Sequence, residues 1–444
     1  MFLIRLILVA TLAIGTRAHA APADSAHGAS EAADVYIVTS RETYAGVSAI
    51  AREAVPVMSR SGTALVLTRI GAKDVDVLAR YVHEQERRCG GFFAFATRTE
   101  AEEFLANDRS ADAIAKPMAA SYTIDNQPTV NPWLPQVQEP NIRATISTLS
   151  AFHNRYYTST TGRNAALWIR DQWLALANGR SDVEVELFTG CSNCSTQPSV
   201  ILTVQGSDLA DEVVVVGAHL DSVNWTGGQF GDVAARRAPG ADDDASGIAT
   251  ISEIIRIALA GNWKPRRTVQ FHAYAAEEVG LYGSKAIASR YASQNINVVG
   301  MLQLDMTNYK TTAPHDMQII SDHSNLALIA YFKQLFDTYL APLGMVRRDV
   351  ACGYGCSDHA SWTTYGHPAA MVFEAGRDPT SPSDMADFPY IHTIDDSLAN
   401  MDNSAEHSVK FAQFGLAFIG ELGKTTPLGE RIFKSGFEVR RHSG

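Results

Sequence analysis

Val213–Val216 is an unbroken apolar run that continues into Gly217 and Ala218. A strand with one face in water alternates apolar and polar residues. A continuous run instead predicts a strand buried on both faces of a parallel-type sheet. Thr268–Ala275, Val298–Leu304 and Pro368–Phe373 read the same way. Between the first two the period changes. Ile248, Ile251, Ile254, Ile255 and Leu259 recur at helical spacing within Ala245–Ala260, and Asn164–Ala177, with Trp168 and Trp173, follows the same rule. From Ile142 onward this alternation predicts a three-layer α/β/α sandwich on a mostly parallel, mixed sheet.

The N-terminal part reads as a unit of its own. Asp34–Thr39, Thr63–Thr68 and Gly91–Ala96 are strand-like, while Tyr44–Met58, Val75–Arg88 and Thr99–Leu105 have helical period. Together they predict a small α/β module of about 85 residues, large enough to be an independent domain. Asp24–Ala33 before it is a linker of small and polar residues. Asn126–Glu139 after it carries three prolines, which suits a linker or an arm lying across a surface.

The chain opens with a targeting segment. Met1–Arg5 supplies a short positive start, Leu6–Ile14 an apolar stretch, and Ala18-His19-Ala20 a small-residue cleavage pattern, so residues 1–20 read as a signal peptide. The apolar stretch is half the roughly 20 residues that span a bilayer. Export to the periplasm or medium is therefore expected, as a soluble monomer. It changes the reading of the five cysteines, because an oxidising compartment favours bridges between closely spaced pairs. Cys191 with Cys194 and Cys352 with Cys356 are such pairs, and Cys89 is left over. A zinc ribbon would need two CxxC knuckles, and the second spacing is wrong. The net charge of −11, without a long run of either sign, argues against nucleic acid or an anionic membrane as partner.

Candidate chemistry collects where the predicted strands end. His219-Leu220-Asp221, Glu277-Glu278 and Asp305 follow three of them, Asp242-Asp243-Asp244 precedes the Ala245–Ala260 helix, and His392 follows the fourth. Ligands of open α/β sheets bind at the carboxyl ends of strands. Each piece alone has an ordinary explanation, since a histidine after a strand is more often structural and acids favour helix starts. The His-x-Asp spacing is more specific, because a ligating imidazole usually passes its other N–H to a carboxylate. Four such groups at successive strand ends point to a metal site of the kind zinc uses.

Six motifs carry a resemblance to a known family. They are Gly217–Ser222, Ala238–Gly247, Ala275–Gly280, Leu302–Thr307, Cys352–Ser361 and Ile391–Thr393. In this order they resemble the secreted bacterial leucyl aminopeptidases of the co-catalytic zinc type, over residues from about 122 to 425. The resemblance implies two zinc ions per chain bridged by Asp243. His219 and Asp305 would complete one metal site and Glu278 and His392 the other, with Asp221 orienting His219. Glu277 would be the general base and Tyr354 would help hold the oxyanion. A pocket for the substrate's first side chain would be lined by Met306, Ile320, Tyr354, Met371, Phe373 and Ile391. Read from the residues alone, those positions favour core packing.

The resemblance also implies a propeptide at residues 21–121, an inhibitor or folding aid that would take Cys89 out of the mature enzyme. A catalytic domain would occupy 122–425, and the tail at 426–444 has no assigned role. The implied activity is release of N-terminal residues from peptides, large apolar ones such as leucine above all. Two other readings share the fold. A glutaminyl cyclase-like transferase would hold one zinc, and a non-catalytic binding module would lack ligands or base. The complete residue set argues against both. Cobalt or manganese could occupy such ligands.

Overall fold

The computed structural model describes residues 34–86, 90–115, 122–226, 233–310, 313–352, 355–374 and 388–427. Residues 1–20, read above as a signal peptide, Cys89, Tyr354 and the tail beyond 427 lie outside them.

Residues 34–115 carry a four-stranded antiparallel sheet. Its strands are β1 (Asp34–Thr39), β2 (Glu53–Met58), β3 (Ala64–Gly71) and β4 (Phe92–Phe95), in the order β2-β3-β1-β4. One sequence expectation fails here. Tyr44–Met58 is not one helix: the helix covers Arg41–Val47, and Glu53–Met58 is β2. Pairing with β3 overrode the helical period, and β2 alternates in exposure along its length. Pro56 is tolerated because β2 is an edge strand, where a missing N–H breaks no ladder on its outer side. The helix predicted from Val75 is regular to Tyr81 and widens over Val82–Glu86.

The larger sheet has eight strands: β5 (Val183–Phe188), β6 (Ser199–Val204), β7 (Leu209–His219), β8 (Arg267–Tyr274), β9 (Asn297–Leu304), β10 (Met317–Ile320), β11 (Arg347–Val350) and β12 (Ala369–Phe373). Their order is β11-β10-β12-β9-β7-β8-β6-β5. The centre, β12-β9-β7-β8, is parallel, and β5 and β6 add antiparallel strands at one side. The valine run sits in β7, the middle of this sheet, and serves both faces. Val214 and Val216 face a core shared with the Ala245–Ala260 and Glu406–Gly423 helices, while Val213 and Val215 face one shared with Ile287 and Trp362 of the opposite helical layer. The α/β/α sandwich on a mostly parallel mixed sheet is thus the architecture found.

The proline-rich Asn126–Glu139 segment is an arm built into this unit. Val130 and Trp133 are buried against Gly420, and Trp133 meets Trp263 edge-on at 5.2 Å. The N-terminal module docks on the same unit. Phe92 and Ala94 share a buried cluster with Trp225, Val279 and Tyr282, and Phe93 shares another with Leu281 and Ala360. Gly91 N donates to Gly355 O at 3.0 Å. At Gly90 (φ +62°) a Cβ would lie 2.6 Å from the same carbonyl oxygen, so only glycine fits this close approach.

Candidate metal centre

Three neighbouring parallel strands deliver the polar cluster. β7 ends on His219, β8 hands on to Ala275-Ala276-Glu277-Glu278, and β9 stops one residue before Asp305. His219 pairs with Tyr274, so these ends open on one edge of the sheet. Asp243 arrives from the start of the Ala245–Ala260 helix and His392 from the loop beyond β12.

Asp243 and Asp244 both lie within ligand distance of the cluster, and hydrogen bonds separate their roles. Asp244 caps the helix: its Oδ1 accepts from Gly247 N (2.9 Å) and Met306 N (3.2 Å), and its Oδ2 from His219 N (3.1 Å). Asp242 Oδ1 accepts from Asn308 N at 2.9 Å. Asp243 remains, and it lies between the two histidines. Its Oδ1 is 2.9 Å from His219 Nε2 and its Oδ2 2.7 Å from His392 Nε2. Glu278 Oε2 is 2.8 Å from His392 Nε2, and Asp305 Oδ1 is 3.7 Å from His219 Nε2. Asp221 stands 3.4 Å from His219 Nδ1 and accepts from Glu277 N (3.0 Å) and Glu278 N (3.2 Å).

All of these groups are buried. Burial pushes the Glu277 carboxyl far up, and it pushes Glu278 up to about 7, with Asp243 adding to the second shift. Burial would also raise Asp243, but His392 and His219 outweigh it and hold this carboxyl below its ordinary range. Burial would lower both imidazoles. Asp305, Asp221 and Asp243 around His219, and Glu278 and Asp243 around His392, reverse that and hold them far up. So many buried carboxylates beside two imidazoles are stable only with added positive charge. Glu278 Oε1 and Asp305 Oδ1 make no hydrogen bond among the described residues. Buried carboxylate oxygens left without donors, mixed with imidazole nitrogens, are a donor set that suits zinc.

The expected pocket residues Met306, Ile320, Met371, Phe373 and Ile391 all fall in one buried apolar cluster, which also contains Cys352 and Cys356. Both local disulfides form, Cys191–Cys194 and Cys352–Cys356. Tyr354 lies outside the described residues. Ala276 (φ +54°), Met306 (+54°) and His392 (+55°) have left-handed backbone, unusual for residues with a Cβ, and each adjoins or belongs to the cluster.

Sequence spacing did not flag Ser357 or Asp396. Ser357 Oγ donates to Asp305 Oδ2 at 2.6 Å. Asp396 accepts from Asp242 N (2.8 Å) and Asp243 N (3.1 Å), orienting the peptide that carries the central carboxylate. Asp396→Ala would orphan two buried amides at about 1–3 kcal/mol each. Urea unfolding of the zinc-loaded protein should show that loss, and a change under about 0.5 kcal/mol would contradict it.

An α/β/α sandwich with an imidazole–carboxylate cluster at the ends of its central strands is the arrangement of a metal-dependent enzyme, and the comparisons with known proteins say of which class. The sequence profile of peptidase family M28 matches residues 199–416. Leucine aminopeptidase 1 of Trichophyton equinum is 36% identical over 324 residues, covering 70% of this chain and 82% of that protein. Among solved structures, the Legionella pneumophila LapA aminopeptidase superposes with a TM-score of 0.73 at 27% identity, over 89% of this chain and 100% of that one. LapB of the same organism gives 0.71 at 28% identity, over 88% and 99%. The chain belongs to peptidase family M28 and is a zinc-dependent metallo-aminopeptidase acting on peptides.

Proposed function

We propose that the chain is a secreted aminopeptidase holding two zinc ions, with a preference for large apolar N-terminal residues. One observation carries the reading. The two oxygens of Asp243 face two different imidazoles at 2.9 and 2.7 Å, the posture of a carboxylate that bridges two cations. In this reading His219 and Asp305 complete one site, and Glu278 and His392 the other. Asp221 holds the His219 tautomer and, through two backbone amides, the Glu277-Glu278 pair. Zinc bound there would lower the pKa of water and polarise the scissile carbonyl. Glu277 adjoins the ligand Glu278 without being needed as a ligand, so it takes the proton from water and delivers it to the leaving amine. Tyr354, which lies between Cys352 and Cys356 in the sequence, would donate where negative charge develops on the carbonyl oxygen.

Metal analysis with leucyl-p-nitroanilide hydrolysis tests this on the processed enzyme. Two zinc ions per chain and hydrolysis are expected; one zinc, or none of the activity, would sink the reading.

Leucyl substrates should exceed glutamyl ones in kcat/KM. A pocket lined by Met306, Met371 and Phe373, which belong to the buried apolar cluster, would gain about 0.8 kcal/mol per buried methylene and leave a carboxylate without partners. Faster cleavage of glutamyl-p-nitroanilide would contradict this.

Export is supported by the signal-like N-terminus and the two disulfides. Residues 21–121 are read as a propeptide, ahead of a catalytic domain at 122–425.

A further inference from the structure

Four consecutive amides leave the end of β8, and a side chain catches every one. Ala275 N donates to Ser199 Oγ (3.0 Å), Ala276 N to Gln197 Oε1 (3.1 Å), Glu277 N to Asp221 Oδ1 (3.0 Å) and Glu278 N to Asp221 Oδ2 (3.2 Å). Ala276, with its left-handed backbone, is where the chain turns off the strand, and the amide that must be held there belongs to Gln197's partner.

Gln197 reaches further. Its Nε2 donates to Arg155 O at 2.8 Å, and its own amide donates to Cys194 O at 3.0 Å, next to the Cys191–Cys194 bridge. Arg155 is fully buried and spends its guanidinium on main-chain carbonyls. Nε donates to Leu220 O (2.9 Å), Nη1 to Pro239 O (2.6 Å) and Nη2 to Gly240 O (2.8 Å). Leu220 lies between His219 and Asp221, and Pro239-Gly240 leads into Asp242-Asp243-Asp244. Arg155 N also donates to Ser222 Oγ at 3.0 Å, and that hydroxyl donates to Ala238 O at 2.9 Å.

These bonds join three segments that lie far apart in sequence: the one carrying His219, the one carrying Asp243, and the one carrying Glu277 and Glu278. Main-chain carbonyl oxygens repel one another, and one guanidinium that donates to Leu220, Pro239 and Gly240 together offsets that repulsion and holds the two segments close. Arg155 supplies five N–H groups in a rigid fork, a geometry lysine cannot copy. Burial pushes its pKa down, while Asp396, Asp244, Asp221 and Asp243 pull it back up.

We propose that Arg155 and Gln197 are positioning residues that set the spacing of the three ligand-bearing segments, and thereby the retention of zinc and the aim of Glu277. The inference rests on the ligand and base assignments given above. Partners behind metal ligands typically change metal affinity or activity by 10–100-fold when removed.

The test uses Arg155→Lys and Gln197→Met in the processed enzyme, each of which keeps side-chain volume, with Glu277→Gln as reference. Zinc transfer to excess dipicolinate is followed alongside kcat and KM. In both variants zinc should leave about 10-fold faster or more, and kcat should fall roughly 10–100-fold with KM changed less than about threefold. Folded variants that lose only thermal stability, with wild-type zinc release and kcat, would overturn the proposal. A variant too unstable to purify is replaced by the other: Arg155 bonds the His219 and Asp243 segments, and Gln197 ties the Glu277-Glu278 segment to Arg155. If Glu277→Gln itself keeps wild-type turnover, the base assignment fails instead, and zinc release still decides the role of Arg155 and Gln197.

Discussion

Glu277→Gln will retain zinc and lower turnover by roughly 10²–10⁴-fold, the range expected when a general base is removed. The side chain is buried beside the proposed ligands, and its Oε1 makes no hydrogen bond among the described residues. A carboxylate kept out of water with an oxygen to spare can accept a proton from a reacting group. Burial pushes its pKa up, and a cation beside it would pull it back down. The amide keeps the shape, so the loss should appear in kcat with little change in zinc content or in the unfolding transition. Wild-type rates in a folded, zinc-loaded variant would remove Glu277 from the mechanism.

The second large effect concerns residues 34–115. In the uncut chain kcat/KM should be at least about 100-fold below that of the processed enzyme, which a docking preference of about 3 kcal/mol supplies. The module packs on Val279 and Leu281, just after the Glu277-Glu278 pair, and on Gly355, inside the disulfide loop that carries Tyr354. It also covers Trp225, whose ring meets the His392 ring edge-on at 6.4 Å. These contacts place the module beside the cluster, and the expectation is that it restricts access there until it is cut. Blocking processing of a chain begun at Ala21 and comparing it with trimmed enzyme decides the matter. Equal values would leave the module only a folding role.

The inhibition should also depend on pH. Lys285 donates to Ala94 O of the module and lies 3.7 Å above the Phe95 ring. Burial pushes its pKa down to about 7, partly offset by Glu100. Released, the amine returns toward its ordinary 10.5, so the undocked state binds more protons between about 7 and 10.5. Docking therefore weakens as pH falls through that window and levels off below 7. The ratio of trimmed to uncut kcat/KM should be larger at pH 9 than at pH 7.

The sequence by itself determined the sheet and the edge at which the chemistry gathers. Val213–Val216 has no polar face, so β7 could only be central, and the residues after its parallel neighbours had to emerge together. The isoleucine spacing of Ala245–Ala260 matches the observed helix end to end. Proximity along the chain was also enough for the two disulfides. Other features were decided only by tertiary structure. Glu53–Met58 became a strand because β3 offered it a ladder, an energy no local period encodes. Asp242, Asp243 and Asp244 are chemically equal in the sequence; the family resemblance implied Asp243, but the physical difference, donors from Asn308, Gly247, Met306 and His219 that occupy its two neighbours, exists only in the fold. Asp396, Arg155 and Gln197 gain their partners from segments that approach only when the sheet closes. A hydrogen bond spanning 154 positions, such as Asp242 N to Asp396, is specified by the packing of both segments on a common core.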